Sequence, residues 1–142
     1  MTREQAPRFG GHPIHPSLAP RLEKVLAGLS WLEKARLKAS VVQGWAAPSP
    51  WSLDTHATGH AVDFATRGWS DALIRKVVSL LQANGFEAVL RLKGEDLGLG
   101  ALVKTEHIHC VLVGYGNSKI LSQVTRPGAH RHIEKELAKR KK

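Results

Sequence analysis

A chain of 142 residues and 15.5 kDa, with 42% hydrophobic and 23% charged residues, has the size and composition of one globular domain. Wholesale disorder and two independent cores are excluded. Its single cysteine, Cys110, excludes an internal disulfide and a cysteine-rich zinc motif.

The formal charge is +9, and its distribution is uneven. From Arg126 to Lys142 seven Lys/Arg face two Glu, a net +5 in 17 residues. Such a tail suits a polyanion: nucleic acid, an anionic cell wall or an acidic membrane surface. The alternative is a solvated helix end. The polar start Met1-Thr2-Arg3-Glu4-Gln5 leads into no signal-peptide-like apolar run, and no uninterrupted apolar stretch of about 18 residues occurs. The expectation is therefore a protein made in the cytoplasm without a signal peptide and without a membrane span.

In chain order, residues 1–16 read as an irregular arm, broken by Gly10, Gly11, Pro7, Pro13 and Pro16. Ser17 is placed to cap a helix to about Leu29, with Leu18, Leu22, Val25, Leu26 and Leu29 on one face. Leu37–Gly44, containing Val41-Val42, reads as a strand, and residues 46–55 as a loop. Gly59–Ala65 reads as a short buried strand. Asp71–Ala83 is the clearest helix, capped by Ser70 and stopped at Asn84-Gly85. Phe86–Leu92 and His107–Val113 read as strands around a glycine-rich loop, 93–100. A basic helix is expected after Pro127. The sum is an α+β domain with a small, mostly antiparallel sheet and two to three helices. Its divisions are the arm 1–16, a domain 17–116 and a basic C-terminal extension 117–142.

The eight histidines carry the chemistry. Four form two tight clusters, His56-Ala57-Thr58-Gly59-His60-Ala61-Val62-Asp63 and Glu106-His107-Ile108-His109. A catalytic zinc takes three protein nitrogen or oxygen ligands and leaves one position for water. His56, Asp63 and His109 would supply that set, and the bound water's pKa would fall to about 7. The competing reading makes His56 and His60 loop residues and sets His107 and His109 on an exposed strand face. His12, His15, His130 and His132 sit in arms without a visible partner, and His60 reads as a tolerated residue. Cys110 points away from the site and reads as a small buried hydrophobe.

The run His56-x-x-Gly59-x-Ala61-x-Asp63 resembles the signature of the zinc D-Ala-D-Ala carboxypeptidase family, which includes phage endolysins cutting the L-alanyl-D-glutamate bond. The resemblance extends to Glu106-x-x-His109, to His107-x-His109, and to His15-Pro16-Ser17-Leu18 followed by a helix and Val41-Val42-Gln43-Gly44, so it covers roughly 14–113. It implies the DD-peptidase and hedgehog-type fold, one Zn²⁺ held by His56, Asp63 and His109, and a peptidoglycan peptide as substrate. Action at the bacterial cell wall, after pore-mediated release or carriage in a virion, would follow. Two positions depart from the family pattern. Ala46 stands where an Arg is usual, and Asp54 where a Ser is usual. Arg67, Arg91 or Lys93 could replace the missing cation, and Asp54 could orient His56 from behind. Trp45 and Trp51 flank this region, lining a groove or packing in its rim.

For the general base, the family pattern favours Glu106, whereas strand alternation favours His107, on one face with His109. Glu106 is the expected base, with His107 stabilising the transition state or holding the base. Two functions follow from these residues. One is a zinc metallopeptidase hydrolysing peptidoglycan peptide bonds, endolysin-like. The other is a catalytically impaired member of the fold acting as a structural or binding component of a phage particle, with 126–142 as its polyanion contact. Nucleic-acid binding is weaker, because no aromatic residues interleave the basic tail.

Overall fold

A computed structural model describes residues 1–46, 56, 58–98, 101–115 and 133–140. Asp54, Trp51, His130, His132, Arg126 and Arg131 lie outside the described residues, and so does the stretch after Pro127 up to 132. The elements are β1 (Arg8–Phe9), β2 (His12–Pro13), α1 (Ala19–Ala27), α2 (Trp31–Ala39), β3 (Val41–Gln43), β4 (Ala61–Ala65), α3 (Asp71–Ala83), β5 (Phe86–Arg91), β6 (Asp96–Gly98), β7 (Ala101–Leu102), β8 (His107–Leu112) and α4 (Ile133–Arg140). The fold is α+β. Its main sheet is antiparallel throughout, in the order β3-β4-β8-β5.

Register divides the sheet into two chemical faces. Phe64 pairs with Ile108 and Leu90, and Val62 with Cys110 and Ala88. These side chains alternate onto the core face and join one apolar cluster with Leu22, Val25 and Leu26 of α1 and with Ile74, Val77, Val78 and Leu81 of α3. The residues between them, Asp63 with His109 and Val89, and Ala65 with His107 and Arg91, share the other face. Cys110 is fully buried in the cluster, as an apolar reading requires, and burial pushes its thiol up. α3 has the expected limits, with the Ser70 hydroxyl accepting from the Leu73 amide.

Four expectations need correction. Leu37–Gly44 is not one strand: α2 runs through Ala39, and the strand is only Val41–Gln43. Ser30 and Glu33 form a reciprocal capping box that starts α2, with Glu33 Oε1 accepting from the Ser30 amide at 2.8 Å. The four described helices also exceed the two to three expected. Ser17 does not cap α1. It sits in a 3-10 turn, Pro16–Leu18, whose cap is the His15 imidazole, and α1 begins at Ala19. The N-terminal arm is not irregular either. Gly10 and Gly11, at φ +58° and +85°, close a hairpin between β1 and β2. Only glycine reaches such a pair of angles cheaply, and Pro13 stands at the end of the two-residue ladder, opposite Arg8.

Segments near both ends of the described residues contribute to the core. Phe9 and Ile14 from the arm and Leu137 from α4 are buried in the same cluster as α1 and α3. Residues 133–140 are therefore a packed helix rather than a free extension. Arg75 and Glu134 pair across from α3, at 2.7 and 2.8 Å.

Candidate metal centre

β4 and β8 lie side by side with Asp63 directly opposite His109, so the register alone brings this carboxylate and imidazole together. His109 Nδ1 lies 2.8 Å from Asp63 Oδ1. A carboxylate only accepts, so Nδ1–H donates. His56 arrives from the turn before β4, its Nε2 3.3 Å from the same oxygen. Two imidazoles and one carboxylate thus converge with ligand atoms within 4.8 Å of one another, all three residues buried. Among the described residues they are the one such group of three or more.

The turn carrying His56 is held by backbone. The Ala46 and Gly59 amides both donate to the His56 carbonyl, at 3.0 and 3.2 Å. Gly59 takes φ +84°, and a Cβ there would come within 2.7 Å of the Trp45 ring and 3.1 Å of the His15 amide. Its glycine identity therefore has a steric cause. His56 Nδ1 lies 2.9 Å from the Gly44 carbonyl, which fixes the ring. A carbonyl cannot donate, so Nδ1 carries a proton, and Nε2 is the ring atom turned to Asp63. This is the outer-shell arrangement that orients a metal-binding histidine.

Electrostatics favours a cation at this point. Burial alone would raise Asp63, but the charges and hydrogen bonds of His56 and His109 hold its carboxyl well below the usual range. Burial, and then the Arg91 charge, push His109 down to about 3 against the pull of Asp63. Burial would lower His56 also, yet Asp63 outweighs it and the net direction is upward. The buried Nε2 of His109 has no hydrogen-bond partner. Two imidazoles, one carboxylate, close convergence and a fixed tautomer at His56 suit a divalent metal of borderline softness. The group could hold a metal ion.

The two candidates for general base are separated. His107 Nε2 stands 3.8 Å from Asp63 Oδ2, and Nδ1 donates to the Thr105 carbonyl at 2.8 Å. Its Nε2 therefore offers a lone pair at the rim of the triad. Glu106, expected as the base, is engaged elsewhere. Arg140 Nε donates to both carboxylate oxygens, at 2.8 and 3.0 Å, and the Thr66 hydroxyl donates to Oε1 at 2.6 Å. The same guanidinium reaches Asp71 Oδ1 and the Thr66 and Trp69 carbonyls. β8 becomes regular only at His107, so alternation from His109 includes His107 and does not reach Glu106.

Of the cations considered for the Ala46 position, Arg67 and Lys93 are exposed. Arg91 is buried, pairs with His107 across β5 and β8, and lies on the metal face. His60 does not join the triad. Its ring is stacked between His15, at 4.1 Å, and Tyr115, at 3.8 Å. Trp45 packs beside that column, 6.2 Å from His15. Arg140 carried no sequence signal, because its partners lie 34 to 74 residues away.

Comparison with protein-family models, with curated proteins and with solved structures finds no match.

Proposed function

We propose that the chain is a zinc-dependent peptidase acting on peptide bonds of bacterial peptidoglycan. The observation that carries this reading is the convergence of the buried His56, Asp63 and His109 side chains, with ligand atoms within 4.8 Å of one another. Support comes also from the resemblance of His56-x-x-Gly59-x-Ala61-x-Asp63 and His107-x-His109 to the D-Ala-D-Ala carboxypeptidase signature.

His56, Asp63 and His109 would hold the ion. When bound, zinc supplies Lewis-acid polarisation and an acidified water. The chain's own contribution is positional. Asp63 sits between the two imidazoles, and the Gly44 carbonyl keeps His56 Nε2 aimed inward. His107 takes the role first given to Glu106. With Nδ1–H donating to the Thr105 carbonyl, Nε2 is the atom that the neutral ring presents as a proton acceptor at the rim. Arg91 supplies fixed positive charge on the same sheet face, where an electrostatic donor favours a developing oxyanion. The +9 charge favours encounter with an anionic wall.

Two observations favour a second reading, a metal-binding member of the fold without hydrolytic turnover, serving as a structural or binding component. Ala46 leaves no guanidinium at its position, and the Glu106 carboxylate is occupied by Arg140. Purified protein incubated with zinc and isolated sacculi separates the two. Released peptide fragments, lost on chelation and regained with zinc, support the peptidase. Bound zinc with no fragments supports the second reading, and absence of bound metal removes both.

A further inference from the structure

α2 is built the wrong way round for a helix of a globular core. Of its nine residues only Leu37 is buried. Its two bulkiest apolar side chains, Trp31 and Leu32, are 78% and 70% exposed. Single exposed hydrophobics are ordinary on protein surfaces, but these two are adjacent and framed. At 3.6 residues per turn, Trp31, Ala35 and Ala39 form one outward row, with Leu32 beside it. Lys34 and Lys38 flank that row on one side and Arg36 on the other. Trp31, Leu32, Ala35, Arg36, Lys38 and Ala39 are all exposed.

The charge on this face is uncompensated by the helix's own acid. Glu33 lies toward the buried side, where it accepts from Lys76 Nζ at 2.8 Å and closes the capping box with Ser30. Arg36 donates to the Gly68 carbonyl at 2.8 Å, beside the exposed Arg67, so the basic rim continues past the helix. The capping box presents this face in a fixed orientation.

We propose that α2 is a docking surface for an anionic lipid bilayer. An apolar strip bordered by cations matches the boundary where lipid headgroups meet acyl chains. Trp and Leu enter, and long basic side chains reach back to phosphate. An anionic polymer would use the cations but gives Trp31 and Leu32 no apolar partner. Among the described residues no helix is long and apolar enough to cross a membrane, so the contact is peripheral. The surface is independent of the metal centre.

The test is sedimentation of the full chain with vesicles of phosphatidylcholine alone or mixed equally with phosphatidylglycerol, at low and at high salt. The expected result is binding to the anionic vesicles only, weakened as salt rises. Trp31→Ser with Leu32→Ser, and separately Lys34→Gln with Lys38→Gln, should each lower binding about tenfold or more. The lysine pair is on the surface and keeps the fold, as an unchanged melting temperature would verify. Absence of binding, equal binding to both vesicle types, or variants within about twofold of wild type would overturn the proposal. So would a loss confined to isolated sacculi with vesicle binding unchanged, which would assign the face to the wall polymer.

Discussion

Asp63 lies within β4, opposite His109, and Glu106 lies just before β8, and the protein treats the two carboxylates differently. Glu106 is met by a cation of the chain itself, the Arg140 guanidinium, with the Thr66 hydroxyl completing its shell. Asp63 is met by two imidazoles, with a third imidazole at the rim. A carboxylate with its own arginine is a joint: it ties α4 to the start of α3 and needs nothing from outside. A carboxylate shared by imidazoles, buried and held ionised, is a group that could hold a cation from solution. Motif spacing cannot tell these cases apart, because the arginine that decides between them is 34 residues away.

The comparison is broken or sharpened by exchanging the two roles, and the largest effect is expected on turnover. His107→Ala should keep the metal and lower peptide release by about 10²–10⁴-fold, the contribution of a general base. Glu106→Gln should leave the rate per folded molecule within a few-fold of wild type. The reverse pattern, a dead Glu106→Gln beside an active His107→Ala, would show that Arg140 releases Glu106 during the reaction.

The joint is tested by stability. Leu137→Ala opens a cavity in the shared core and should cost about 2–5 kcal/mol in denaturant unfolding. Arg140→Ala should cost about 1–3 kcal/mol by stripping the Glu106 and Asp71 carboxylates of their donor. Its zinc content should not change. Melting curves identical to wild type for both variants would mean that α4 is an appendage after all.

A smaller effect is expected at the capping box of α2. The Lys76 hydrogen bond, with the Ser30 amide, lowers Glu33 from its ordinary 4.5 to about 2. A lowered folded-state pKa contributes stability that is present above pH 4.5 and lost as pH falls toward 2. Glu33→Gln should therefore be less stable than wild type at neutral pH, and the gap should close across that window. A gap that is constant from pH 6 to pH 2 would assign the effect to packing instead.

Much of this was legible in the residues. Asp71–Ala83 carried both its cap and its stop, and the triad followed from two histidine clusters on segments with strand character. α2 was hidden because Val41-Val42 dominates its neighbourhood, although Ser30-x-x-Glu33 is a sound start signal. The hairpin was hidden by its prolines, although Gly10-Gly11 is turn chemistry. The Glu106–Arg140 joint had no local signal at all, and Ile133 and Leu137 alone make a thin apolar face for α4.

The central claim is that the Asp63 group takes a metal ion and the Glu106 group does not. The most direct measurement is zinc content after equilibrium dialysis of wild type, Asp63→Ala and Glu106→Gln. The account predicts one zinc per chain in wild type and Glu106→Gln, and none in Asp63→Ala. Equal zinc in wild type and Asp63→Ala, or loss of zinc in Glu106→Gln alone, would contradict it.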